Sequence, residues 1–473
     1  MKLNILILTL TFCLAANSQV ISNESPITFT AGDQQTAAYK GVFQVTENRH
    51  RQDSRSIPLH YVRFPSTSKN PGPPIIYLAG GPGGSGIATA KHYRYELFMA
   101  MREVADVIAF DQRGTGDSDS LPECHSTQYI PTDRPINDAE FIALNQSALA
   151  ECFEFWKTNK IDYAAYNTLE NAADLDDLRV HLGAEKISLW GISYGSHLAL
   201  TAMKTMEDKL HKVIIASAEG LSQTIKYPAR TDAYFERLQT AFNAAAEKPE
   251  LIPDITKLMN KVHNDLDENP KAIKWENDSG KEITYYIQAR DMKQLASGMI
   301  SDPSRAQRML MLYQAINAGI TAPMIDIVKQ HLNPEDPISF KLMGVVMDMA
   351  SGISPERRQV IHEQAQSAVL STYLNFTLHY TDLALKLKLD LGETFRTKPT
   401  SSVPTLLLSG TLDGRTYIES QREAVSGLTQ VSKVKVVNAG HNLFKSSPKV
   451  IQTMLNFMHD QPLKQHTIVV NLP

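Results

Sequence analysis

Apolar and polar positions follow two rhythms along this chain. Short apolar runs recur at residues 74–79 (PIIYLA), 104–110 (VADVIAF), 186–190 (KISLW), 211–217 (HKVIIAS), 403–408 (VPTLLL) and 434–437 (VKVV). Such runs, rich in β-branched side chains and mostly followed by Gly, Asp or Asn, predict strands buried on both faces, as in a parallel sheet. After 186–190 the spacing turns helical at 196–203 (SHLALTAM). Residues 41–45 (GVFQV) and 57–62 (IPLHYV) predict an antiparallel edge that opens the fold. After Gly220 the strand rhythm stops. From Arg230 to Leu391 the pattern is helical, rich in Ala, Leu, Met and Lys, and strand–helix alternation returns at Val403. The prediction is an α/β core over residues 19–220 and 400–473, with a mostly parallel sheet covered by helices on both faces. A large helical insertion, 221–399, reads as a cap, the kind of element that excludes water and selects substrates.

The turn between 186–190 and 196–203 reads Gly191-Ile192-Ser193-Tyr194-Gly195. A serine between two glycines at a strand-to-helix turn is the nucleophile elbow, in which the small flanking residues let strand and helix approach closely. A serine hydroxyl needs a base to take its proton and a third group to orient that base. In this class of sheet the chain order is Ser, then Asp or Glu, then His. Asp413 lies in the turn after 403–410, and His441 lies in the loop after 434–437. An Asp-Gly turn or a loop histidine alone is bland. In the required order, each after its own strand, the three predict Ser193 as nucleophile, His441 as general base and then acid, and Asp413 as orienting carboxylate.

The strand at 74–79 empties into Gly80-Gly81-Pro82-Gly83-Gly84-Ser85-Gly86. A P-loop would need Gly-Lys-Ser/Thr at its end, and no Lys follows until Lys91. A dinucleotide fingerprint is formally present at Gly81, Gly83 and Gly86, but Pro82 removes a backbone donor from the middle of the loop. The better reading is an oxyanion hole formed by the amides of Gly81 and of Tyr194, the residue after the serine.

With these blocks in place the chain resembles the α/β-hydrolase peptidases of the prolyl and tripeptidyl aminopeptidase family. The resemblance rests on Gly80-Gly81-Pro82-Gly83-Gly84, Asp111-Gln112-Arg113-Gly114-Thr115-Gly116-Asp117-Ser118, the elbow, Gly410-Thr411-Leu412-Asp413 and Gly440-His441. Residues 171–179 (NAADLDDLR) resemble the tripeptidyl branch in particular. Ala79 stands where prolyl aminopeptidases usually carry His, and Tyr194 where their elbow commonly carries Trp. The resemblance therefore implies an α/β-hydrolase fold and serine-hydrolase chemistry without implying strict proline specificity.

Composition changes the picture little. With 473 residues, 42% hydrophobic, 21% charged and a net charge of −4, the chain is an ordinary globular one with no basic excess for nucleic acid. The N-terminus differs. Met1-Lys2, an apolar run to Ala16, and the small exit Ala16-Asn17-Ser18 predict a cleavable signal peptide, 1–18, and a secreted or periplasmic protein. Phe12 before Cys13 is bulkier than a lipoprotein processing site accepts, and no later apolar run is long enough to span a membrane. Cys124 and Cys152 then remain, a pair that predicts a disulfide worth about 3 kcal/mol on the chain-entropy model. Sequons stand at Asn23, Asn145, Asn277 and Asn375.

Two further groups invite chemistry. Asp111 and Arg113 are expected to form a structural ion pair near the site. Asp174, Asp176 and Asp177, at helical spacing, predict a solvated face pairing with Arg179 rather than a metal site, and no metal or cofactor is expected. An aminopeptidase must hold the substrate's α-amine with a carboxylate. Glu219, just after the strand 211–217, is the leading candidate, and the cap acids Glu356 and Glu363 are unranked behind it. The expected partner is a peptide with a free N-terminus. An esterase of the same fold would share the triad and ignore N-blocking, and a non-catalytic binding protein on this scaffold would fail to react with serine-directed probes.

Overall fold

The structure is a computed structural model that describes residues 21, 23–118, 121–332 and 334–472. The expected signal peptide, 1–18, lies outside the described residues. The strands in chain order are β1 (Glu24–Ala31), β2 (Gln34–Thr46), β3 (Ser56–Phe64), β4 (Ile75–Leu78), β5 (Val107–Phe110), β6 (Cys124–His125) and β7 (Ile187–Ile192). They continue with β8 (Leu210–Ala216), β9 (Lys271–Glu276), β10 (Glu282–Ile287), β11 (Ser339–Phe340), β12 (Thr405–Gly410), β13 (Val431–Val437) and β14 (Thr467–Val469). Ten of them make one sheet in the order β1-β2-β3-β5-β4-β7-β8-β12-β13-β14. The first four in that order pair antiparallel, and from β5 to β14 every neighbour is parallel. The sequence predicts two strands at the antiparallel edge, and the structure adds β1 outside them.

The helices of the first half are α1 (Gly86–Lys91), α2 (Tyr95–Met101), α3 (Asp138–Thr158), α4 (Thr168–His181) and α5 (Tyr194–Thr205). Strand alternation divides the core between the two sheet faces. Ile76, Leu78, Leu189 and Ile215 face a core filled by α3, α4 and α5, through Trp156, Leu175 and Leu198. Ile75, Tyr77, Trp190 and Ile214 face the other core, filled by Phe98 of α2.

Between β8 and β12 no described residue joins the large sheet. This stretch holds α6 (Pro228–Ala245), α7 (Ile255–Glu268), α8 (Ala289–Met299), α9 (Pro303–Asn317), α10 (Pro323–Ile327), α11 (Leu342–Ser351), α12 (Pro355–Ala365), α13 (Thr381–Lys386) and α14 (Gly392–Arg396). It is not wholly helical, because β9 and β10 form an antiparallel hairpin within it. Its alternating burial, Ile273 and Trp275 inward between exposed Lys and Glu, is a strand signal hidden in a helix-rich stretch. The insertion has its own core, around Phe235, Met259 and Tyr313, and Leu412 and Tyr417 beyond β12 pack into it. After β12 come α15 (Ile418–Ala424) and α16 (Pro448–Met458), the latter covering the α2 face of the sheet with Val450 and Met454.

Cys124 and Cys152 form a disulfide, Cα–Cα 5.6 Å, tying β6 to α3. Arg113 does not pair with Asp111. It is fully buried and grips Asp174 through Nε and a terminal nitrogen, both at 2.7 Å, while donating to the carbonyls of Glu47 and Ala165. Asp174 is therefore no solvated acid: it is buried between Arg113 and Arg49, while Asp176 pairs with Arg179 as expected. Asn375 is also buried, bonded to both the N–H and C=O of Lys226, so its sequon is not a surface one.

Candidate active site

The turn between β7 and α5 holds Ser193 at φ 54°, ψ −125°, a conformation costing about 1–3 kcal/mol for a non-glycine residue. Its neighbours explain how that is maintained. A Cβ on Gly191 would lie 2.5 Å from the Gly195 carbonyl, and one on Gly195 would collide with the carbonyl of Leu78. The Ser193 N–H donates to Ala216 at 3.2 Å, and its carbonyl accepts from the N–H and hydroxyl of Ser196 at 2.8 and 2.5 Å. The Ser196 hydroxyl in turn accepts from the N–H of Glu219 at 2.9 Å, so the elbow and the exit from β8 are fastened together.

Asp413 sits in the turn after β12 and is buried. One of its oxygens accepts the N–H groups of Arg415 (2.8 Å) and Thr416 (2.9 Å), and the other accepts the Thr416 hydroxyl at 2.7 Å. Nδ1 of His441 lies 3.0 Å from both oxygens. Burial works to raise the pKa of Asp413, but the His441 ring and the Thr416 hydrogen bonds outweigh it and hold the carboxyl below its usual range. An ionised carboxylate on Nδ1 favours the tautomer that leaves Nε2 free as a base. His441 is held from both sides by its backbone. Its carbonyl accepts the Ser217 hydroxyl at 2.7 Å, and its N–H donates to the carbonyl of Ser301, in the turn between α8 and α9, at 2.7 Å. The same turn takes the N–H of Gly414 on the Ile300 carbonyl at 3.1 Å, and Arg415 donates to Ser297 at 2.9 Å. The insertion thus touches both loops that carry the histidine and the aspartate.

The glycine loop after β4 passes against the elbow, close enough that a Cβ on Gly80 would lie 2.8 Å from the Ile192 carbonyl. The Asp111-Gln112-Arg113 block braces it. Asp111 accepts the Ser85 hydroxyl (2.6 Å) and the Ile87 N–H (3.0 Å) at the start of α1. Gln112 donates to the Ala79 carbonyl at 3.0 Å and accepts from Asn171, which also donates to the buried Tyr194 hydroxyl at 3.0 Å. The side chain of Tyr194 is thus anchored, and its backbone amide opens α5.

Gly81, Ser193, His441 and Thr416 line one cavity of about 960 Å³. Glu219, Lys226, Asp348 and Arg415 line it too. Glu219 pairs with Lys226 at 3.0 Å. Burial opposes its ionisation, but Lys226 and His197 prevail and hold its pKa below the usual range. Asp348, on α11, is pushed up to about 7 by burial and by the charge of Glu219. Glu356 and Glu363 lie on α12 and are not among the lining residues. Sequence reading missed Asp348 and Lys226. A lone acid in the apolar helix 342–351 (LMGVVMDMAS) is the signal that could have found Asp348.

Known proteins agree with this architecture. Residues 73–319, just over half the chain, match the family described as the alpha/beta hydrolase fold. Over 169 residues the chain is 28% identical to a tripeptidyl aminopeptidase of Streptomyces lividans, covering 33% of this chain and 31% of that one. Over 188 residues it is 28% identical to the serine protease Hip1 of Mycobacterium bovis, covering 38% and 35%. It is 32% identical over 140 residues to a probable proline iminopeptidase of Streptomyces coelicolor, covering 29% and 31%. The matched segments span about a third of the length of these relatives. Among the described residues no helix is long and apolar enough to cross a membrane. A mostly parallel sheet that presents Ser193 at a strand-to-helix turn, together with the family match, places this chain in the alpha/beta hydrolase family, with serine peptidases among its distant relatives.

Proposed function

We propose that this protein is an exported serine aminopeptidase that releases one or a few residues from the N-terminus of peptides. Ser193 Oγ attacks the scissile carbonyl while His441 Nε2 takes its proton, with Asp413 stabilising the imidazolium. The amides of Gly81 and Tyr194 receive the oxyanion. The C–N bond then breaks, His441 returns the proton to the leaving amine, and water, activated by His441, hydrolyses the acyl-enzyme. Residues 221–399 act as the cap over this site, and Cys124–Cys152 suits an oxidising compartment.

The observation that carries the peptidase reading is that two carboxylates, Glu219 and Asp348, accompany Ser193 in a cavity that Asp302 also lines. An ester needs no such pair. A protonated α-amine does, because it supplies charge-assisted hydrogen bonds to groups kept from bulk water. Glu219 already shares its charge with Lys226, so Asp348 is the carboxylate that the incoming ammonium balances. The relatives named for aminopeptidase activity support the same reading.

The test compares aminoacyl- and tripeptidyl-p-nitroanilides with and without an N-acetyl group. Cleavage of free-amine substrates alone is the expected result. Indifference to acetylation with faster ester turnover would move the assignment to esterase, and failure of a fluorophosphonate to label Ser193 would make the protein a binding module.

A further inference from the structure

The cavity at Ser193 has a second charged end, which the proposed chemistry leaves unused. Arg94, in the turn between α1 and α2, lines it and is only 3% exposed. Its guanidinium lies over the rings of Tyr77, Tyr93 and Phe444, at 5.5, 5.1 and 5.1 Å. It donates to the Tyr77 hydroxyl and, at 2.7 Å, to Oδ1 of Asn442, the residue after His441. Its buried Nε has no acceptor, and no ion pair joins it to a carboxylate among the described residues. Burial here leaves a guanidinium with spare donors. Arg305 and Arg308 line the same cavity from α9, and neither has an ion-pair partner among the described residues. Asp302 lines the cavity beside them and caps α9 by accepting from the N–H and hydroxyl of Ser304.

The two ends belong to opposite faces of the sheet. Glu219 is bonded to Ser196 of α5, and α11, which carries Asp348, packs into the core on the α4–α5 face. Arg94 sits over the α2–α16 face, with Phe444, beside the loop of His441. We infer that the end walled by Arg94 is a carboxylate subsite that takes the C-terminal carboxylate of a short peptide, so that the preferred substrates are free oligopeptides held at both termini. A planar fork with spare N–H groups suits a carboxylate, and its place beside the His441 loop puts it on the side from which the leaving amine departs. The orientation of the peptide rests on the aminopeptidase reading.

The experiment uses four forms of trialanine, with the amine free or acetylated and the carboxyl free or amidated. The free acid is expected to exceed the amide in kcat/KM by about tenfold or more. Arg94→Gln is expected to remove that advantage by raising KM for the acid alone. Equal turnover of acid and amide by the unmodified protein would overturn the subsite, whatever acetylation does, and the acetyl pair judges the aminopeptidase reading separately. If none of the four is cleaved, their protection of Ser193 from a fluorophosphonate gives the same comparison. Stronger protection by the acid upholds the subsite, and equal protection overturns it. The acid-to-amide ratio needs no variant, so a misfolded Arg94→Gln would not rescue the idea.

Discussion

Ser193 reaches its place through one unbroken segment, β7, the turn and α5, whereas the charged groups beside it are collected from three. Glu219 and Lys226 lie in the connection from β8 to α6, Asp348 rides on α11 and Arg415 follows β12. The elbow is fixed by backbone geometry, since Gly191 and Gly195 leave room for no side chain, and the result is a rigid, local device. The charged cluster is fixed by side-chain pairing across the insertion, with Asn375 holding Lys226 and Lys226 holding Glu219. Reactivity and selectivity are therefore separable: damage to the first region should stop every substrate, and damage to the second should discriminate among them.

The largest expected effect breaks the first region. Ser193→Ala should lower kcat by about 10⁵- to 10⁶-fold on ester and peptide alike, leaving residual turnover from the oxyanion hole. It should also abolish fluorophosphonate labelling, and retained labelling would mean another nucleophile.

Arg113→Met attacks the support of that region rather than its chemistry. It leaves buried Asp174 with only Arg49 and should cost about 3 kcal/mol in urea unfolding. The loss of activity should follow the folded fraction equally for both substrate types. A selective loss would mean that the Asp111-Gln112-Arg113 block reaches the substrate.

Glu219→Gln tests the second region. KM for free-amine peptides should rise about 10- to 100-fold, from the loss of a charge-assisted contact, with ester kinetics barely changed. Equal changes on both would remove Glu219 from amine binding.

The smallest effect is a pH dependence. Asp348 attracts an ammonium only when ionised, so KM for free-amine peptides should fall as pH rises through about 7, and Asp348→Asn should flatten the profile. Stability moves the other way. The folded pKa lies above the unfolded one, so the contribution of this group is complete below the unfolded value of about 4 and is lost as pH rises through about 7. Unfolding titrations of the unmodified protein and of Asp348→Asn should diverge over that window.

What the sequence disclosed follows the same division. The parallel strands, the elbow and the Ser–Asp–His order are legible because each is encoded within a few neighbouring residues. The hairpin β9–β10 was lost because a short alternating run sits inside a long helix-rich stretch. Arg113, expected beside Asp111, found Asp174 on a distant helix, and Asp174 looked solvated because its partners are remote in the chain. Asp348, Lys226 and Arg94 belong to the same class: their roles depend on which segments the insertion and the sheet bring face to face, and periodicity carries no such information.

The α8–α9 turn bears on how such a protein could be re-engineered. Its Ile300 and Ser301 carbonyls receive the amides of Gly414 and His441, and a Cβ on Gly440 would lie 2.7 Å from the Ser301 oxygen. The insertion is consequently not a door hung at its two ends, because swinging it aside would strip hydrogen bonds from the loops of the proposed base and its carboxylate. A chimera that grafts a foreign insertion between β8 and β12 must carry an equivalent corner, or His441 loses a tether. Under the proposed cap role, drift toward new substrates has its freedom in the rest of the insertion, with this corner as the fixed joint.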